Sequence, residues 1–241
     1  MAGSRLLLLG MTAALSAQTP VPPGARVEWV LREHLAQDLD SRDGRIEDLE
    51  TIAYLHRIET ALTGQRPLEL RLTYGLEPYA RLLPNDVLYV AGCLLDRIQT
   101  EAELAGLLAH ELAHTRQTPA PGPNFGACVL NSPMVPQKWS EGMRDREQQA
   151  TSEAIVVLRK AGYDPTGVLD LLSKLAYENP MWGRGIVAED LLQIRNDIEK
   201  EPTPHAGYRM DTSAFRQMKE RLAAALGHHQ AVTPSLVKPR P

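Results

Sequence analysis

Residues 100 to 114 read Thr100-Glu101-Ala102-Glu103-Leu104-Ala105-Gly106-Leu107-Leu108-Ala109-His110-Glu111-Leu112-Ala113-His114. Leu104, Leu107, Leu108 and Leu112 recur at helical spacing, which predicts an amphipathic helix with one buried face. Thr100 and Glu103 match a capping box, the threonine oxygen accepting an early backbone N–H while the glutamate reaches back, so the helix is expected to start there. Its end is expected around Thr118-Pro119, because proline disfavours helix in the residue before it and lacks the backbone donor. His110 and His114, four apart, project from the same helix face. Both imidazoles can reach one Zn2+ ion from there, and Glu111 between them can contact the water that the ion activates. The competing reading is a pair of helix-surface histidines with no metal.

Upstream, Leu68-Glu69-Leu70-Arg71-Leu72-Thr73-Tyr74 alternates strictly and predicts a half-buried strand. Pro84-Asn85-Asp86 then turns into Val87-Leu88-Tyr89-Val90, a second strand and a plausible edge for an extended peptide. Before the strands, helical patterns run from Ala25 to Asp40 and from Arg45 to Leu62, separated by the turn-favouring Ser41-Arg42-Asp43-Gly44. In the second helix Ile46, Leu49, Ile52, Ala53 and His56 share one mostly apolar side, and His56 reads as a packed, hydrogen-bonded core residue. Downstream, residues 119 to 139 are rich in Pro, Gly and Asn and predict an irregular connection. A further helix is expected from about Asp145 to Ala161, stopped by Gly162, with Asp164-Pro165 as cap and first position of the next. The expected fold is α+β, one mostly helical domain over residues 18–230 with a small β-sheet beside the active-site helix.

A catalytic zinc has three protein ligands and one open position, so two histidines need a third partner. Glu147 on the following helix can supply it; Glu141 and Glu153 compete, and all three can equally be solvated glutamates on a charged face. Gly92-Cys93-Leu94 ahead of a His-Glu motif resembles peptide deformylase, where a cysteine completes the metal site, but the spacing from Cys93 to His110 is much shorter than in that family. Cys93 and Cys128 are the two cysteines of the chain. In an oxidising compartment they can pair, or both can be small buried hydrophobes.

The block from Pro84 to Leu95, followed by Glu101 to His114, resembles the active-site region of peptidase family M forty-eight, which includes the CAAX prenyl proteases, HtpX-like membrane proteases and soluble periplasmic proteases. Glu147 to Ala150 and on to Ala161-Gly162-Tyr163-Asp164-Pro165 is similar to that family's second block. The resemblance covers roughly residues 45 to 210 and implies a zincin-like metalloprotease domain of the soluble branch. It implies Glu147 as third ligand of a single Zn2+. Two departures stand out. Thr151 occupies the place of the family's aspartate, a partner of a zinc histidine whose loss weakens such sites. Pro204-His205, with Arg209 following, loosely matches a late His-Pro segment, with Ala206 replacing the proline. The resemblance thereby implies His205 near the metal, as a transition-state donor or fourth ligand, against a plain loop histidine; Tyr208 and Arg209 are weaker candidates.

At the chain ends the readings concern location. Residues 1–17 carry Arg5, an apolar run from Leu6 to Leu15 and the small pair Ser16-Ala17, the shape of a secretory signal peptide cleaved near Ala17. The run is too short to span a bilayer, and the mature chain has no apolar stretch long enough to do so. A periplasmic or secreted protein is therefore expected. Residues 231–241 read as a flexible tail, and His228-His229 before it as solvated. A net charge of −4 over 241 residues argues against a general nucleic-acid surface, and the sequence shows no polybasic membrane patch. Three functions fit: a zinc metalloendopeptidase acting on a polypeptide substrate; a catalytically decayed zinc-binding holdase or scaffold with an envelope protein partner; and a protein with a closed structural zinc site.

Overall fold

The computed structural model describes residues 23–65, 68–83, 86–117, 137–178, 188–201, 207–209 and 212–232. Residues 1–17, Cys128 and His205 lie outside them. Helix α1 (Pro23–Asp43) runs through the expected turn and ends at Gly44, whose φ of 69° a glycine adopts without strain. Arg45–Ile46 is not helical but forms a short strand, β1. The next helix starts later because Asp48 caps it, its carboxylate accepting the N–H groups of Glu50 and Thr51. This is α2 (Leu49–Thr63), closed by Gly64 at φ 74°.

The buried side of α2 is Thr51, Tyr54, Leu55, Ile58, Glu59 and Leu62; of the expected face, Ile46 is buried but on β1, Ile52 and His56 are half-buried, and Leu49 (76%) and Ala53 are exposed. Apolar counting misplaced the face because two of its buried residues are polar and each has partners. The Thr51 hydroxyl donates to Asp48 Oδ2 at 2.6 Å, and Glu59 accepts the Leu68 N–H at 2.8 Å. Half-buried His56 is hydrogen-bonded as expected, its Nδ1 lying 2.7 Å from Glu59 Oε2.

Strands β2 (Glu69–Thr73), β3 (Ala80–Leu83) and β4 (Val87–Ala91) join β1 in a mixed sheet of order β1-β2-β4-β3. β2 runs parallel to β4, pairing Leu70 with Leu88 and Leu72 with Val90, while β1 and β3 are antiparallel to their neighbours. β4 is thus central, with all five residues buried, and the expectation that Val87–Val90 forms a free edge is corrected. The edge position on that side belongs to β3, whose Ala-Arg-Leu-Leu lacks the alternation that marks a strand in sequence.

A short helix, α3 (Gly92–Arg97), leads into α4 (Glu101–His114). Thr100 caps α4 through the Glu103 N–H at 3.1 Å. Glu103 reaches back as a capping box requires, but to the Gln99 N–H at 3.0 Å, and it also accepts Lys174 Nζ at 2.7 Å. The helix stops at His114, short of the expected Thr118. α4 is buried all round rather than along one face: every residue but His110 and His114 is buried. Such a helix belongs at the centre of a core, and it is enclosed by α2, the sheet, α5 (Gln137–Ala161) and α6 (Thr166–Glu178).

α5 begins well before the expected Asp145 and ends as expected at Gly162, φ 77°. Asp164 caps the following turn, its carboxylate accepting the Thr166 N–H at 2.9 Å. α7 (Ala188–Glu199) packs on α5 and α6, and α8 (Ser213–Val232) on α2 and α3. α8 carries helix to the first residues of the expected tail; residues 233–241 lie outside the description. Near its end the His229 ring stacks on Tyr74 with centroids 3.9 Å apart, so of the histidine pair only His228 is exposed. The fold is α+β, as expected, and no described helix is long and apolar enough to cross a membrane.

Candidate metal centre

His110 and His114 are the two places where α4 keeps contact with solvent, their side chains 12% and 17% exposed. α5 packs antiparallel against that face, since Thr151 lies opposite His110 and Arg146 opposite Gln117 beyond His114. This brings Glu147 to both rings: its Oε2 lies 3.0 Å from His110 Nε2 and 3.4 Å from His114 Nε2, and the two Nε2 atoms are 3.1 Å apart. The imidazole planes are nearly perpendicular, at 86°. Among the described residues these three are the group whose ligand atoms all lie within 4.8 Å of one another.

The donor set fits a divalent metal. With bonds of about 2.0–2.1 Å, tetrahedral Zn2+ holds its ligand atoms about 3.3–3.4 Å apart, close to the three separations here. Two nitrogens and a carboxylate oxygen, all able to present lone pairs to one point, repel unless a positive charge sits among them. In the metal-free chain a proton fills that need. Burial alone would lower the His114 pKa, but its hydrogen bond to Glu147 and the charges of Glu111 and Glu147 raise it to about 9. Burial would raise Glu147, yet the hydrogen bonds and charges of His110 and His114 hold it well below the ordinary carboxylate range. Glu111 is buried, and that burial pushes its carboxyl up, against the opposing charges of His114 and His110.

Each ring is also held from behind. Thr151 Oγ1 lies 3.2 Å from His110 Nδ1 and donates to the Glu147 carbonyl at 2.9 Å. Gln117 Oε1 lies 3.0 Å from His114 Nδ1, while its Nε2 donates to the Arg146 carbonyl at 2.8 Å. Thr151, marked in sequence only as a departure, therefore contacts a candidate ligand. Gln117 is not among the residues singled out from the sequence; its one signal is a position three residues after His114 within the expected span of the helix, and the structure ends α4 at His114 and leaves Gln117 in the turn that follows.

The remaining candidates do not join the group. Glu153 faces Gln149 at 3.5 Å, and the Glu141 side chain is outside the description. Cys93 is half-buried on α3, where burial raises its thiol pKa, and has no disulfide partner among the described residues; it lies apart from the cluster, and its pairing with Cys128 falls outside the described residues, as does any role of His205. Half-buried Tyr208 has a buried hydroxyl without a hydrogen-bond partner among the described residues, and Arg209 lies over the Tyr163 ring at 5.8 Å. Comparison with protein-family models and with curated proteins finds no match for this chain.

Proposed function

We propose that the chain is a zinc-dependent metalloendopeptidase that hydrolyses peptide bonds of exported or envelope proteins, with His110, His114 and Glu147 as metal ligands and Glu111 as general base. The observation that carries this reading is the convergence of Glu147 on both imidazoles of a His-Glu-x-x-His helix. Zn2+ held there would supply Lewis acidity, lowering the pKa of water and polarising the scissile carbonyl. Glu111 takes the proton of the attacking water and returns it to the leaving amine. A carboxylate whose pKa is raised by burial is the stronger base for that task. An extended substrate adding by main-chain hydrogen bonds is assigned to β3, which packs against α4, and not to the enclosed β4. The leader-like residues 1–17 support an exported site of action.

Zinc content and cleavage of an unfolded protein test the proposal in wild type, Glu111→Gln and Glu147→Ala. Glu111→Gln is expected to keep the metal and lose about 10²–10⁴-fold in rate; Glu147→Ala is expected to lose both. Turnover surviving Glu111→Gln overturns the mechanism. Tight zinc binding with no turnover by wild type favours a binding module instead.

A further inference from the structure

We infer that Thr151 and Gln117 are positioning residues that lock both candidate ligand histidines in the Nδ1–H form, so that one event, the docking of α5 on α4, delivers Glu147 and aims both Nε2 atoms at the metal. This rests on the metal site proposed above and adds to it a means of assembly. A threonine hydroxyl carries one proton. Thr151 gives it to the Glu147 carbonyl, so toward His110 Nδ1 its oxygen can only accept, and Nδ1 must bear the hydrogen. Gln117 is oriented likewise: its Nε2 donates to the Arg146 carbonyl, which turns the amide oxygen to His114 Nδ1 and requires an N–H there. With both Nδ1 atoms protonated, departure of the proton shared among the Nε2 atoms and Glu147 leaves both Nε2 lone pairs aimed at the same point, where Glu147 also lies.

The two chains of hydrogen bonds end on carbonyls of consecutive residues of α5, Arg146 and Glu147, the second being the third ligand itself. Withdrawing α5 thus removes the carboxylate and frees both rings together. Both acceptors are uncharged. An uncharged acceptor polarises an imidazole less than a carboxylate does, so this site holds its metal less tightly than one backed by carboxylates.

Zinc affinity by chelator competition on the full chain, with histidine ring nitrogen NMR of the zinc-loaded protein, tests this. Thr151→Val and Gln117→Leu are expected each to weaken zinc binding by about tenfold or more, Thr151→Ser to restore it, and Thr151→Asp to bind tighter than wild type. The loaded wild type is expected to show Nδ1–H for both rings, a readout that needs no variant to fold. Unchanged zinc affinity in a folded Thr151→Val and Gln117→Leu, or Nε2–H rings in the loaded wild type, overturns the inference while the peptidase reading stands. Zinc bound with the expected rings but no turnover removes the peptidase reading and keeps this one, whereas a wild type that takes no zinc ends both.

Discussion

Two imidazole nitrogens 3.1 Å apart, facing one carboxylate oxygen, favour a positive charge among them, which a proton can supply and, in the reading proposed above, a metal. The metal-free protein then has a definite pH response. His114, raised from about 6.5 to about 9, contributes stability that is fully present below its unfolded pKa and lost as pH rises through about 9. Glu147, lowered from 4.5, contributes stability present above that value and lost as pH falls below it. Together they act fully between about 4.5 and 6.5. The melting-temperature gap between chelator-treated wild type and His114→Gln is therefore expected to be widest in that window and to close above pH 9; a gap that does not vary with pH contradicts the assignment. Zn2+ at the proposed site would compete with the proton for the same atoms, so its affinity is expected to fall as the solution is acidified.

At the scale of elements, the site depends on how closely α4 can be approached from its other side. Gly106 on α4 and Gly167 on α6 face each other's helix backbone: a Cβ at Gly106 would stand 2.8 Å from Val168 N, and one at Gly167 closer still to the Ala102 carbonyl. Neither neighbour is a flexible side-chain end, so the helices must part to admit a methyl group. Gly106→Ala and Gly167→Ala are expected to cost about 1–3 kcal/mol each, measured by urea denaturation, despite alanine's better helix propensity at Gly106. A stabilised Gly106→Ala would show that this crossing is looser than described. The start of the same helix is set by Thr100, and Thr100→Ala is expected to cost about 1 kcal/mol through the lost bond to the Glu103 N–H.

Over the whole molecule, α4 is the enclosed element and α5 the one that completes the site from outside. Removal of metal is expected to leave α4 protected and to loosen α5 first, because a helix buried all round opens only with the core, whereas a flanking helix can open alone. Hydrogen exchange with and without chelator reads this directly: amides of residues 145–151 are expected to speed up more than those of 102–109. Equal acceleration in both would mean that the domain unfolds as one unit when the metal leaves. Loading at a hundredfold excess over Kd is expected to add about 2.7 kcal/mol to global stability.

How far the sequence could be read differs between these parts. The His-Glu-x-x-His helix, its threonine cap, two of the four strands and the glycine stop after Ala161 were legible because each is a local signal: a spacing, a cap or a backbone preference carried by a few neighbouring residues. The buried face of α2 was not, because Thr51 and Glu59 are hidden by partners that residue type does not reveal. Nor was β3, or the central place of β4, since strand order depends on pairing between segments rather than on the composition of any one. The amino-acid order was enough to single out His110 and His114 on one helix as a candidate metal pair and to narrow the third partner to a few residues. That Glu147, rather than Glu153 or Cys93, meets the histidines, and that Thr151 and Gln117 stand behind them, came from the packing of the folded chain. The reason is physical: ligand chemistry resides in single side chains, but convergence on one point is a property of how two helices pack.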